Sequence, residues 1–283
     1  MSERERKGEI DRILVALDAS SHSLSALQAA AELAVRLGAE LQALFIEDVN
    51  VRRLGALPFA EEVGVFSATC HPLDARELAR QLEGQARQMH RRFRRTTEWT
   101  GVQCTFQRVR GRVVPKILEA ASEADMVILG KEAWSTFETR QLGPAIRQVL
   151  SQIPTPTMVL QAGARLKRPV LAIYDGSQAA HRALSAAATL AKRDDDRLMV
   201  LILAGGESER VGRLHARAET WLEGRGLQVQ YQALSESSAS RLAALVVRQG
   251  YGTIVLPREG SIIRDEGVLD FLDEIEVPVL LVR

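Results

Sequence analysis

The chain has 283 residues, of which 46% are hydrophobic and 26% are charged, and its formal net charge is +1. This length suits two domains of about 140 residues better than one core. The composition and charge argue against a nucleic-acid-binding or membrane protein, and no apolar stretch approaches the roughly 20 residues needed to span a bilayer. Cys70 and Cys104 stand alone, which argues against a metal site and favours a cytoplasmic protein.

Short apolar runs alternate with helical periodicity along the first half of the chain. After a charged tail at residues 1–9, which we expect to be frayed, residues 13–17 predict a buried strand and residues 21–37 a helix that ends at Gly38. An alternating strand around Phe106 predicts a sheet edge. The other predicted elements are a strand at 41–46, a helix around 78–93, a helix at 113–122, a strand at 126–129, a helix near 142–150 and a strand at 157–160.

The second half repeats this order, and its sequence resembles the first. Residues 12–20 read Arg-Ile-Leu-Val-Ala-Leu-Asp-Ala-Ser, and residues 168–177 read Arg-Pro-Val-Leu-Ala-Ile-Tyr-Asp-Gly-Ser. Residues 101–107 and 226–232 correspond in the same way. Tandem copies of a strand–helix alternation predict two doubly wound α/β domains, at 10–161 and 168–283, joined by a short linker at about 165–169.

These residues resemble the universal stress protein superfamily in its tandem two-domain form. The resemblance rests on the strands that end in Asp-Ala-Ser or Asp-Gly-Ser before an Ala-rich helix, a fourth strand that ends in glycine, and a closing strand after a proline. It implies a five-stranded parallel sheet of order 3-2-1-4-5 in each domain. It also implies that the two domains pair through their last strands as an intramolecular pseudo-dimer, with a homodimer as a further possibility.

In the resembling family, ATP-binding members carry a phosphate loop of the form Gly-x-x-Gly, nine residues, Gly-Ser or Gly-Thr after the fourth strand. Here Gly130 and Gly143 match the first and third glycines, whereas Ala133 and Pro144 replace the second glycine and the hydroxyl residue. Phosphate binding needs glycines for close approach of N–H groups, and proline has no N–H. Both glycines also fit ordinary turn and helix-start geometry.

The resemblance places a nucleotide crevice beside the end of the first strand. Asp18, Ser20, Ile46, Gly130 and Gly143 are its candidate residues, with ATP or another adenine nucleotide as the ligand. An aspartate at the position of Asp18 holds the adenine or ribose side in that family, but Asp18 and Ser20 also make a good helix N-cap. In the second half the loop has decayed further, because Pro257 and Asp270 stand at the positions of the first and third glycines and only Gly260 matches, at the second.

The first half contains an insertion at about 47–72 that the second half lacks. Its apolar residues argue against disorder, and a loop of this length inside a domain is usually functional. The second strand ends beside the expected crevice, so the insertion is interpreted as a lid, a dimer interface or a flap on its own domain.

A stripe of arginines lies on the helix that follows the insertion, at Arg87, Arg91, Arg94 and Arg95. We interpret it as a solvated face, with an acidic partner or nucleic acid as less favoured alternatives. The pair Lys131–Glu132 is expected to be solvated.

The five histidines occupy unrelated positions and form no catalytic motif. The leading hypothesis is therefore a non-catalytic stress protein with degenerate nucleotide sites. The alternatives are a nucleotide switch that uses the first domain only, and an enzyme with its site under the insertion.

Overall fold

The computed structural model describes residues 10–54, 61–63, 70–72, 74–134, 141–167, 169–192, 196–205, 207–234, 238–259 and 265–283. Seven strands and five helices lie in the described part of the first half: β1 (Arg12–Leu17), α1 (Ser21–Leu37), β2 (Glu40–Asp48), α2 (Val49–Leu54), β3 (Glu61–Val63), β4 (Cys70–Pro72), α3 (Ala75–Thr97), β5 (Cys104–Gly111), α4 (Val113–Ala121), β6 (Met126–Gly130), α5 (Pro144–Gln152) and β7 (Thr157–Leu160).

The described second half contains five strands and four helices in the same alternation: β8 (Val170–Tyr174), α6 (Gln178–Lys192), β9 (Arg197–Leu203), α7 (Ser208–Leu222), β10 (Gln228–Leu234), α8 (Ala239–Gln249), β11 (Thr253–Pro257), α9 (Asp265–Glu274) and β12 (Val279–Val282).

Ten of these strands form one continuous sheet in the order β10-β9-β8-β11-β12-β7-β6-β1-β2-β5. Within this sheet the neighbouring strands of each half are parallel; β1 lies between β2 and β6, and β8 lies between β9 and β11. The closing strands β7 and β12 pair antiparallel at the centre of the sheet. The sheet therefore joins the halves in an arrangement compatible with the pseudo-dimer predicted from the sequence.

Helices cover both faces of the sheet, as a doubly wound fold requires. One core lies under α1, α3, α6 and α7, and the other lies under α4, α5, α8 and α9. The edge strand β5 alternates half-buried and exposed residues through Gln107, as the sequence pattern predicted. The α/β class and the helix-flanked sheet predicted from the sequence are confirmed.

Local sequence signals set the ends of several helices. Ser20 caps α1 by accepting the N–H of Ser23, and Gly38 ends the helix with a left-handed φ of 69°. Helix α5 begins at Pro144, two residues later than predicted, because proline takes the first helical position, where no N–H is needed.

The insertion contains regular structure that the sequence analysis did not predict. Helix α2 follows β2 directly, and β3 and β4 form a separate antiparallel hairpin. The rest of the insertion, at 55–60 and 64–69, lies outside the described residues, as does the charged tail at 1–9. Across the part of the chain that is described, no helix combines the length and the apolar character needed to traverse a bilayer.

Candidate functional site

The candidate crevice lies at the carboxyl ends of β1 and β6, which are neighbours in the sheet. Strand β1 is followed by Asp18, and β6 ends at Gly130. Neighbouring parallel strands place their carboxyl ends at one edge, and β1 is the point from which the chain winds in both directions. Residues from β1, α1, β6 and the start of α5 therefore meet here.

Asp18 organises the turn between β1 and α1. Its Oδ1 atom accepts hydrogen bonds from the N–H of Ser20 at 2.9 Å and from the hydroxyls of Ser20 and Ser23, each at 2.5 Å. Ser23 Oγ in turn accepts the N–H of Asp18 at 2.9 Å. The structure thus brings Asp18 and Ser20 together, and their contacts within the described residues are those of a helix cap.

The second carboxylate oxygen of Asp18 fixes the segment after β6. Oδ2 accepts the backbone N–H of Trp134 at 2.5 Å. Trp134 has a left-handed φ of 57°, a conformation that is rare for a bulky residue. The segment after β6 is therefore held against the end of β1, and Ala133 in this segment is fully buried.

The two candidate glycines have packing roles. A Cβ atom on Gly130 would lie 2.8 Å from the backbone carbon of His22, so β6 and α1 approach too closely for any side chain. A Cβ atom on Gly143 would lie 3.2 Å from the carbonyl oxygen of Ala133, and the N–H of Gly143 donates to the oxygen of Lys131 at 3.0 Å. Both glycines are explained without a ligand.

Ile46 does not join this cluster through its side chain. It is 3% exposed and belongs to the core under α4 and α5, together with Ile117 and Ile146. Its neighbour Glu47 is the more unusual residue, because a carboxylate at the end of a strand is buried there.

Glu47 forms an ion-pair cluster that sequence reasoning missed. It pairs with Arg108 and accepts a hydrogen bond from Arg110 Nε at 2.8 Å. Burial by itself would raise the pKa of the Glu47 carboxyl, but the hydrogen bonds and charges of the two arginines outweigh burial and lower that pKa. Arginines two apart on β5 share a face, and this spacing was the available signal.

The expectation that Lys131 and Glu132 are solvated is wrong. Lys131 is 2% exposed and Glu132 is 6% exposed. Burial lowers the pKa of the Lys131 ammonium, although the carboxylate of Asp273 and two glutamates oppose this shift. No local pattern indicated the burial of Lys131, because residues of the second half contact it.

Lys131 and Glu132 have separate partners. The Lys131 Nζ atom donates to the backbone oxygens of Asp273 at 3.0 Å and Ile275 at 3.1 Å. The carboxylate of Glu132 lies 3.6 Å from Nε2 of His22, whose Nδ1 accepts the N–H of Ala162. His22 is itself buried.

Asp273 of α9 occupies the N-terminal end of α5. Its Oδ1 accepts the N–H of Leu142 at 2.7 Å, and its other oxygen pairs with Arg147. A carboxylate at this end of a helix is favoured by the free N–H groups and the helix dipole. Asp273 belongs to the second half of the chain, so its carboxylate links the two halves at the start of α5.

The corresponding edge of the second half is also closed by protein groups. Asp175 is buried and accepts the N–H of Ser177 at 2.9 Å. Pro257 ends β11, and the next residue, Arg258, is buried and donates to the oxygen of Ile153 at 2.9 Å. Asp270 is exposed, and Gly260 lies outside the described residues.

No group of three or more His, Cys, Asp or Glu side chains within the described ranges could hold a metal ion. Cys104 is free. In the first half, the site therefore offers one aspartate whose oxygens already accept hydrogen bonds, one buried lysine, and a helix N-terminus that holds a carboxylate.

Comparison with known proteins gives the wider context. The model of the universal stress protein family matches residues 9–161. A universal stress protein from Archaeoglobus fulgidus DSM 4304 has 17% sequence identity and a TM-score of 0.71, over 95% of this chain and 97% of that chain. A protein of unknown function from Pseudomonas aeruginosa PAO1 has 15% identity and a TM-score of 0.59, over 98% and 94%.

At these identities the two solved structures show similarity of fold alone. A search of the curated proteins finds no match. The family model covers more than half of the residues, so the chain belongs to the universal stress protein family.

Proposed function

We propose that this chain is a non-catalytic universal stress protein of tandem type, which acts in the cytoplasm through ligand or partner binding. In this proposal residues 10–161 and 168–283 are the two domains, they form an intramolecular pseudo-dimer, and their ancestral nucleotide sites are degenerate. The observation that carries the proposal is that the carboxylate of Asp273 accepts a hydrogen bond from the N–H of Leu142 and forms an ion pair with Arg147.

The position of Asp273 bears directly on phosphate binding. In the family's ATP-binding loop the phosphates use the N-terminus of the helix that begins here at Pro144. A carboxylate already accepts a donor at that end, and a second anion beside it would be repelled by its charge. Pro144 also removes both the hydroxyl and one N–H that a phosphate would use.

The contacts of Asp18 support the same conclusion. Four donors, including the N–H of Trp134, already bind its two oxygens. A ribose or adenine group would have to displace at least one of these bonds, and an unmade bond to a charged group costs about 1.5–3 kcal/mol.

A calorimetric titration of the full chain with ATP tests the proposal. We expect no measurable binding, and mass spectrometry of the denatured, purified protein should find no adenine nucleotide carried over. Micromolar affinity, or nucleotide released on denaturation, would overturn it.

A second candidate function is a nucleotide-dependent switch that uses the first domain only, with Asp18, Ser20, Ile46, Gly130 and Gly143 as its site. One observation favours it. The indole N–H of Trp134 is buried and has no hydrogen-bond acceptor in the described structure, and the backbone N–H of the same residue binds Asp18 at the expected crevice. A ligand that accepts this N–H would shift the tryptophan fluorescence on titration, whereas degenerate sites leave the spectrum unchanged.

A further inference from the structure

Each end of the ten-stranded sheet carries a groove between the edge strand and its covering helix. The basic-end groove, between α3 and β5, has a volume of about 590 Å³. The acidic-end groove, between α7 and β10, has a volume of about 510 Å³. No described strand pairs with the outer edge of β5 or of β10. Each groove therefore lies beside an edge whose backbone can still pair with another chain.

Corresponding pairs of rings lie at the two ends of the sheet, and of their four residues His90, Phe106 and Tyr231 line the grooves. Counted from Gly101 and Gly226, His90 corresponds to His215 and Phe106 to Tyr231. The rings of His90 and Phe106 stack with centroids 4.7 Å apart, and those of His215 and Tyr231 meet with centroids 4.3 Å apart. The grooves are thus the same structural feature, present once in each half.

The walls of the two grooves differ in charge. The basic-end groove is lined by three arginines, Arg91, Arg94 and Arg95, and one glutamate, Glu98. Two glutamates and no basic side chain line the acidic-end groove. At the corresponding positions Glu219 replaces Arg94, whereas Glu98 and Glu223 match. The charge of the wall is therefore reversed between the two ends of one molecule.

The three arginines of the basic-end groove are available for a partner. Arg91, Arg94 and Arg95 are all exposed. In the described structure the ion pairs of α3 and β5 involve Arg80, Arg108 and Arg110 instead. An unpaired cluster of arginines attracts an opposite charge, and pairing with a complementary surface steers association.

The geometry of the sheet allows the basic-end groove of one copy of the chain to face the acidic-end groove of another. Both α3 and α7 pack on the same face, the one that also carries α1 and α6. Because β7 and β12 are antiparallel, β5 runs antiparallel to β10. A copy displaced along the sheet would bring its β10 antiparallel to β5, with its acidic-end groove facing the basic-end groove on one face.

We propose that the partner of the basic-end groove is the acidic-end groove of a second copy of this chain. An unrelated acidic peptide would account for the arginines alone, whereas a second copy accounts for the arginines, the opposite wall, the shared face and the strand direction together. The contact is heterologous, so it joins copies head to tail and does not close after two. It involves neither nucleotide crevice and is independent of the function proposed above.

Charge-reversal variants test this inference by sedimentation velocity. The wild type should associate as concentration rises at low salt, and should dissociate at high salt. Arg91→Glu with Arg94→Glu makes both ends acidic, and Glu219→Arg with Glu223→Arg makes both ends basic. Each variant alone should have an association constant at least roughly tenfold lower than that of the wild type. An equimolar mixture of the two should associate as the wild type does.

The control carries the same charge change elsewhere on α3. Arg76→Glu with Arg80→Glu alters two exposed residues that line neither groove, and it should associate as the wild type does. Circular dichroism checks that all variants are folded. A wild type that stays a single copy at every concentration, or variants whose mixture fails to associate, would refute the proposal. So would a single-copy wild type whose arginines bind polyglutamate or single-stranded DNA.

Discussion

Lys131 donates a hydrogen bond from Nζ to the backbone oxygen of Ile275, 3.1 Å away, and so links the end of β6 to the segment before β12. Arg258, at the corresponding position after β11, donates to the oxygen of Ile153 at 2.9 Å. Both cations are buried. The halves are therefore joined by reciprocal charge-assisted hydrogen bonds as well as by the pairing of β7 with β12.

Replacing Lys131 by methionine tests the strength of this link. Methionine keeps an apolar side chain of similar length but leaves the oxygens of Asp273 and Ile275 without this donor. We expect the free energy of unfolding in urea to fall by about 2–3 kcal/mol, since bonds to a charged group are the stronger kind. Lys192→Met, at an exposed position, should change it by less than about 0.5 kcal/mol. Equal stability of Lys131→Met and wild type would mean that the cost of burying the charge cancels its bonds.

A substitution at Gly130 distinguishes a packing role for this glycine from a role in ligand binding. A methyl group there would lie 2.8 Å from the backbone of His22, which cannot move away as a flexible side chain could. Gly130→Ala should therefore lower the unfolding free energy, without any ligand present, by about 1–3 kcal/mol.

Gly84 gives a matched control with the opposite sign. It lies inside α3, and a methyl group added there would have no other atom within 4 Å, so Gly84→Ala should raise stability by about 0.5–1 kcal/mol. A Gly130→Ala protein as stable as the wild type would contradict the packing role and would favour a role of the glycine in ligand binding.

The sequence predicted the layers of this fold well, because they depend on local patterns. Alternation along the residues around Phe106 identified the edge strand, and Gly38 identified the end of α1. Each of these signals lies within a few neighbouring residues, and the tandem repetition supplied the same signals twice.

The candidate site was predicted less well, because its contacts join residues that are far apart in the chain. Asp18 with Ser20 is a local pair and was recognised. Asp273 lies on a helix of the second half, so its contact with Leu142 depends on side-chain packing between the halves, which local sequence patterns do not specify. The burial of Glu132 has the same cause as its contact with His22, namely the close approach of β6 and α1.

Restoring the family's phosphate loop tests whether the first crevice can still accept a nucleotide. Ala133→Gly with Pro144→Ser returns one glycine and one hydroxyl, and each restored hydrogen bond to a phosphate could add about 1–2 kcal/mol. With Asp273 in place we expect no ATP binding by calorimetry.

Adding Asp273→Asn to these changes removes the negative charge at the helix N-terminus, and binding should then become measurable. Leu142 and Arg147 keep an oxygen acceptor in this variant. Binding by the Ala133→Gly, Pro144→Ser protein alone would show that Asp273 does not block the site. No binding by the triple variant would mean that the crevice itself is closed.

The buried cluster of Glu47 with Arg108 and Arg110 predicts a defined acid sensitivity. The pKa of Glu47 in the folded chain lies below its ordinary value of 4.5, despite burial, because both arginines bind the ionised form. A lowered pKa contributes stability that is complete above the pKa of the unfolded chain and is lost as the pH falls through the pKa of the folded chain.

Glu47→Gln removes the charge and leaves the arginines with weaker partners. Its unfolding free energy at pH 7 should be about 1–3 kcal/mol lower than that of the wild type, and this deficit should shrink as the pH falls below 4.5. Urea unfolding over a pH series measures both effects. Glu83→Gln removes an exposed carboxylate 3.7 Å from the same Arg108, and it should change the unfolding free energy by less than about 0.5 kcal/mol throughout the pH series. A Glu47→Gln protein whose deficit stays constant from pH 7 to acid would show that the loss comes from packing and not from the ionised carboxylate.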